Sequence, residues 1–140
     1  MIVIDSSGLY AALVSTQAAH DRVRATLESE RGPLLLSPFA LAELDYMLVR
    51  WEGRAVELAL LREVAAGSYE LAPFTDGDVA AALAVIERYR DLEIGLTDAS
   101  LVVLAGRYGT ERILTLDERH FRVLRAPSGR PFTLLPADDA

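Results

Sequence analysis

The sequence predicts an α/β domain with a mostly parallel sheet flanked by helices, and two observations carry that expectation. Short apolar runs alternate along the chain with stretches of helical spacing, as strands joined by helical crossovers do. No internal repeat, low-complexity tract or linker interrupts the alternation, and 140 residues with 51% hydrophobic content suffice for one core. A single unit over residues 1–136 is therefore expected, followed by a short frayed tail at 137–140.

Taken in order, Ile2-Val3-Ile4 is a short apolar run that stops at Asp5, and Ser6-Ser7-Gly8 leads into the apolar-spaced Leu9, Tyr10 and Leu13, which reads as strand, turn and helix. A polar helix is predicted from about Ala18 to Glu30, broken by Gly32-Pro33 before a second strand, Leu34-Leu35-Leu36. Ser37-Pro38 starts another helix, with proline in the first turn where its missing N–H is tolerated. That helix should run to about Trp51, with Gly53 dividing it from an amphipathic segment reaching Gly67, so the two form a hairpin. Tyr69 to Ala72 reads as a third strand. Thr75 to Asp91 and Thr97 to Tyr108 read as helices, the first capped by Thr75 or Asp76. Gly109 ends the second. Ile113-Leu114-Thr115-Leu116 is a strand that stops at Asp117, and Phe132 to Leu135 is the last strand.

Composition removes several kinds of chemistry. There is no cysteine, so disulfides, thiolate metal sites and cysteine nucleophiles are excluded. All 14 basic residues are arginine, and without lysine neither Schiff-base nor P-loop chemistry is available. Met1 to Asp5 lacks a basic flank and a long apolar core, which argues against a signal peptide or membrane span and for the cytoplasm. The net charge of −7 speaks against nucleic-acid binding through a broad basic face. It leaves open a site where acids gathered around divalent cations hold phosphate through the metal.

In an open parallel sheet the ligand site lies beyond the carboxyl ends of the strands. Asp5 and Asp117 each follow an apolar run directly, so both carboxylates are expected on that rim, and Asp98 opens a helix facing it. Glu43 lies inside a helix among Phe39, Ala40 and Met47, where an unpaired carboxylate would be costly and wants a partner. Asp45, two positions on, points roughly 200° round the helix and reads as solvent-facing or interfacial. Taken singly, Asp5, Asp98 and Asp117 have the ordinary explanation of helix caps, as do Ser6 and Thr97, and Glu43 that of a rim or salt-bridged glutamate. Four converging acids, by contrast, suit Mg²⁺ or Mn²⁺, which prefer carboxylate oxygen and water. Without a cation such acids repel one another.

The segments Val3-Ile4-Asp5-Ser6-Ser7, Ala42-Glu43, Leu96-Thr97-Asp98-Ala99 and Leu114-Thr115-Leu116-Asp117-Glu118-Arg119-His120-Phe121 resemble, in order and spacing, the four signature stretches of PIN domains, particularly the VapC-type toxins. The resemblance covers almost the whole chain. It implies a three-layer α/β/α fold and Mg²⁺- or Mn²⁺-dependent endonucleolytic cleavage of RNA, leaving 5′-phosphate and 3′-hydroxyl ends. Asp5, Glu43, Asp98 and Asp117 carry over as the catalytic acids, with Asp5, Asp98 and Asp117 as metal ligands and Ser6 and Thr97 as supporting groups. It also implies a homodimer, and neutralisation by a cognate antitoxin whose C-terminal segment enters the acidic groove.

Arg119, Arg122, Arg125 and Arg130 cluster after the last acid. A solvated basic loop is the simpler account of them, with Arg119 and Arg122 the candidates for RNA contact. His20 and His120 are too few and too separate for a histidine metal site, and His120 beside Asp117 reads as a structural or peripheral contact rather than a catalytic one. Tyr10, Phe39, Met47 and Trp51 suit core or dimer packing better than base stacking. A haloacid-dehalogenase-like phosphohydrolase with Asp5 as nucleophile is disfavoured, because Ser7 stands where a second aspartate is usual and lysine is absent. A catalytically silent PIN-like binding module is disfavoured because all four acids are present.

Overall fold

The computed structural model describes residues 1–139. Five strands, β1 (Ile2–Ile4), β2 (Leu34–Leu36), β3 (Glu70–Leu71), β4 (Arg112–Leu114) and β5 (Thr133–Leu135), form one sheet in the order β3-β2-β1-β4-β5. Every pairing is parallel, with Val3 opposite both Leu35 and Ile113. Strand direction alternates side chains between the faces, so each short apolar run feeds two cores. Val3, Leu35, Ile113 and Leu134 face one; Ile2, Ile4, Leu36, Leu114 and Leu135 face the other.

Helices cover both faces. On one side lie α1 (Ser6–Leu13), α2 (His20–Ser29), α3 (Pro38–Trp51) and α4 (Arg54–Ala65), which contribute Leu9, Val23, Leu44, Leu48 and Leu60 to their core. On the other lie α5 (Asp76–Arg88), α6 (Leu96–Tyr108) and the four-residue α7 (Glu118–Phe121), contributing Ala82, Leu101, Leu104 and Phe121. The result is a three-layer α/β/α domain. The helix α6 is buried on most of its circumference, Ala99 to Val102 and Leu104-Ala105 all being inaccessible, because α5 covers the side turned away from the sheet.

Several predicted boundaries shift for identifiable reasons. The fourth strand ends at Leu114 rather than Leu116, because the Leu116 N–H bonds to Ser7 Oγ at 3.0 Å instead of continuing a ladder. The expected third strand shortens to Glu70–Leu71, with the Ala72 N–H still bonded to the Leu36 carbonyl at 2.9 Å, and a 3₁₀ turn, Arg90–Leu92, replaces the last turn expected after Arg88. The helix α7 was not expected; Asp117 creates it by capping the His120 N–H at 3.1 Å. Gly53, at φ 99°, makes the sharp reversal from α3 into α4.

That reversal decides between the two settings expected for Asp45. It is interfacial rather than solvent-facing, and meets the buried Glu57 of α4, whose carboxyl group holds the Asp45 carboxyl above the usual range. Arg54 pairs with Glu57 at 2.7 Å. Residues 136–139 are also held rather than frayed. Pro136 is buried and accepts from Arg22, Thr26 Oγ1 donates to Asp139, and the Asp138 carboxylate accepts from the Leu134 N–H and from Arg122. Ala140 lies outside the described residues. Among the described residues, no helix is long and apolar enough to cross a membrane.

Of the aromatic residues, Tyr10 is buried and meets Trp51 edge-on at 6.1 Å, while Trp51 itself is 57% exposed. Phe39 packs edge-on against Phe74.

Candidate active site

The sheet order reverses direction between β1 and β4, and the crevice beyond their carboxyl ends is where such sheets place ligands. A cavity of about 490 Å³ opens there, lined by Asp5, Glu43, Asp98 and Asp117 together with Ser6, Ser7, Thr97 and His120. All four acids expected from the sequence, and both supporting hydroxyl residues, thus border one space.

Asp5 is the most deeply set. Its backbone N–H bonds to the Leu114 carbonyl at 2.9 Å, tying the end of β1 to β4. Close approach of α1 to β4 makes this possible: Gly8 leaves no room for a Cβ, which would lie 2.7 Å from Leu114 O. The Asp5 side chain caps α1 through the Ser6 N–H at 2.8 Å and accepts from Thr115 Oγ1 at 2.7 Å and Ser7 Oγ at 3.0 Å. Capping and site-building are therefore one arrangement rather than competing accounts. Burial raises the Asp5 carboxyl above its ordinary range; hydrogen bonds from Thr115, Ser7 and Ser6 oppose the rise, and the Glu43 charge adds to it.

Glu43 departs from its predicted setting. It is exposed on the cavity rim, not embedded in an apolar face, and its partner is Ser6, whose Oγ donates to Glu43 Oε1. Asp98 stands in the first turn of α6 at 19% side-chain exposure. Its carboxyl is pushed up to about 6, first by burial and then by the charge of Asp5, with His120 opposing and Asp117 adding. Thr97 borders the cavity, and its carbonyl accepts from Ser100 Oγ, which in turn contacts Ser37 Oγ at 2.8 Å. These bonds anchor the start of α6 to the start of α3.

Three residues enter that the sequence did not single out for the site. Thr115 and Ser7 brace Asp5, and the Asp117 N–H bonds to Thr115 Oγ1 at 3.0 Å. Thr115 sat unnoticed inside an apolar run, although a hydroxyl next to the rim was a usable signal. His120 is not peripheral: its Nδ1 lies 2.8 Å from Asp117 Oδ2 and 3.6 Å from Asp98 Oδ2. The other histidine, His20, is remote and contacts the Ala11 carbonyl. Of the two arginines considered for RNA contact, Arg122 is committed to Glu118 and Asp138, each at 2.7 Å. Arg119 is exposed and has no ion pair among the described residues.

The donor set suits a hard divalent cation. Ligand atoms of Asp98, Asp117 and His120 lie within 4.8 Å of one another and Asp5 borders the same cavity; burial, and after it the charges of Asp5 and Asp117, disfavour the Asp98 carboxylate in a way a cation would offset.

A PIN-domain family model matches residues 2–126. The curated Ribonuclease VapC26 of Mycobacterium tuberculosis is 42% identical over 135 residues, spanning 96% of this chain and all of the relative. Among solved structures, Mycobacterium tuberculosis VapC20, described as a Sarcin-Ricin loop cleaving toxin, superposes with a TM-score of 0.78 at 19% identity, covering 84% of this chain and 90% of that one. With an all-parallel five-stranded sheet and an acidic crevice at its switch point, the chain belongs to the PIN-domain family, among its VapC-type members.

Proposed function

We propose that this protein is a divalent-metal-dependent endoribonuclease, the toxin of a toxin–antitoxin pair. The observation that carries the reading is the convergence of Asp5, Glu43, Asp98 and Asp117 on one open crevice. The relatives support it, one being named a ribonuclease and another a Sarcin-Ricin loop cleaving toxin.

In this reading Asp5, Asp98 and Asp117 hold Mg²⁺ or Mn²⁺, and Glu43 completes the acidic shell. The cation supplies Lewis-acid stabilisation of phosphodiester charge and an activated water. The protein's own contribution is placement. Thr115, Ser7 and the Ser6 N–H aim the Asp5 carboxylate; Ser6 Oγ restrains Glu43; the α6 start, pinned through Ser100 and Ser37, holds Asp98. Of the two arginines considered for RNA contact, Arg119 is the one with no ion pair among the described residues, and it would meet the RNA backbone. The overall negative charge limits non-specific binding, and a cation held by the acids would reverse the local field for a phosphate. A homodimer, and a small antitoxin reaching the acidic groove with its C-terminal segment, complete the reading.

The test is cleavage of mixed cellular RNA by purified protein with Mn²⁺ or Mg²⁺, against EDTA and Asp98→Asn controls. Discrete fragments requiring both the metal and Asp98 are expected. Wild-type cutting by a folded Asp98→Asn variant would contradict the assignment.

A further inference from the structure

The proposed metal site contains a nitrogen donor. We infer that His120 Nδ1 is a direct metal ligand beside Asp98 and Asp117, and that it biases the site towards Mn²⁺ over Mg²⁺. The inference rests on the metal-dependent reading above and names the fourth side chain of that centre.

Spacing is the first argument. Two ligands each 2.0–2.1 Å from an octahedral cation lie about 3 Å apart. Nδ1 of His120 stands 2.8 Å from Asp117 Oδ2, a hydrogen-bonding contact, and 3.6 Å from Asp98 Oδ2, so a shift of a few tenths of an ångström would bring both separations to that spacing. The four-residue helix α7 enforces this: Asp117 caps it while His120, three positions later, returns to the same side.

The second argument is accommodation. His120 borders the cavity at 20% exposure, and among the described residues its ring makes hydrogen-bonding contact only through Nδ1, towards carboxylates. A neutral imidazole can carry its proton on Nε2, leaving the Nδ1 lone pair for the cation. His120, Asp98 and Asp117 would then hold the cation together, where His120 and Asp117 now share a hydrogen bond.

Selectivity follows from ligand chemistry. Mg²⁺ strongly favours oxygen and keeps its water, whereas Mn²⁺, which also favours oxygen, stands in the transition-metal affinity series and accepts an imidazole nitrogen more readily than Mg²⁺ does. The site would therefore discriminate through one side chain, the carboxylates being common to both ions.

Pulsed EPR of the Mn²⁺-loaded protein tests this directly, reading ¹⁴N coupling from a coordinated imidazole. Only two histidines are present, so the assignment is simple. Coupling should appear in wild type, persist in His20→Gln and vanish in His120→Gln. Calorimetry should show at least about tenfold weaker Mn²⁺ binding in His120→Gln and little change for Mg²⁺. Absence of ¹⁴N coupling in Mn²⁺-loaded wild type would overturn the inference whether or not the variant folds, as would equal losses for both ions. An RNA-cleavage assay on the same preparation separates the readings: cutting without ¹⁴N coupling would leave the nuclease proposal standing and remove only the histidine ligand.

Discussion

Thr115 Oγ1 donates to Asp5 Oδ2 at 2.7 Å while accepting from the Asp117 N–H at 3.0 Å, so one hydroxyl positions the acid after β1 and the backbone of the acid after β4. Thr115→Val keeps the shape but leaves both partners short of a bond. RNA cleavage should fall about 10- to 100-fold, with a stability loss of about 1–2 kcal/mol. Thr115→Ser should restore most of both. Cleavage rates and thermal melts of the two variants provide the check; equal damage from serine would point to packing of the methyl group instead.

Stability of metal-free protein should fall as pH rises through the Asp98 titration. Its carboxyl moves from 3.8 to about 6 on folding, so the folded state holds the proton more firmly than the unfolded chain between those values. The contribution is present below about pH 4, declines to about pH 6, and is level above. Asp98→Asn should therefore leave stability unchanged near pH 4 and raise it by about 1 kcal/mol at pH 7, allowing for solvent screening. Denaturant melts in EDTA at both pH values measure this, and Mn²⁺ should stabilise wild type more than the variant.

Glu30 has the opposite sign. Burial alone would raise its carboxyl, but the Met1 ammonium at 2.8 Å, the Gly32 N–H at 2.7 Å and Arg112 bring it down to about 2. Its contribution should be complete above about pH 4.5 and disappear as pH falls towards 2. Glu30→Gln should cost about 2 kcal/mol at pH 7, and the gap to wild type should narrow on acidification, as urea melts at a series of pH values would record.

Gly8→Ala should destabilise the fold by about 2 kcal/mol or more, because the new methyl meets the backbone carbonyl of Leu114 at 2.7 Å rather than a movable side chain. Since α1 and Asp5 would shift together against β4, metal affinity measured by calorimetry should fall as well. A variant with wild-type melting and metal binding would show that α1 can slide freely.

The two arginines near Asp117 should behave differently. Arg119→Ala should weaken RNA binding and flatten its salt dependence by about one counterion. Arg122→Ala should leave RNA affinity nearly unchanged and release the C-terminal residues, seen as faster amide exchange at Asp138, because its guanidinium is occupied by Glu118 and Asp138. RNA titrations at several salt concentrations and exchange measurements distinguish them.

Much of the architecture was legible in the chain because buried parallel strands need short uninterrupted apolar runs, and their ends mark the ligand rim. Asp5 and Asp117 could be placed from that rule alone, and Asp98 from its position at a helix start. Glu43 stands exposed beside Ser6 rather than on an apolar face, because the helix turns that side towards the open crevice. Asp45 had two settings open, because helical angle says which way a side chain points but not what packs there; α4 folds back across it and makes it interfacial.

Sequence alone determined the elements, their alternation and the acids at strand ends, all consequences of local periodicity and capping. Tertiary structure decided which hydroxyls brace those acids, that His120 joins Asp98 and Asp117, that Arg122 is taken by Asp138, and that residues 136–139 are held. Those are contacts between side chains and distant segments. Their geometry depends on the order β3-β2-β1-β4-β5 and on helix packing, which no local pattern specifies.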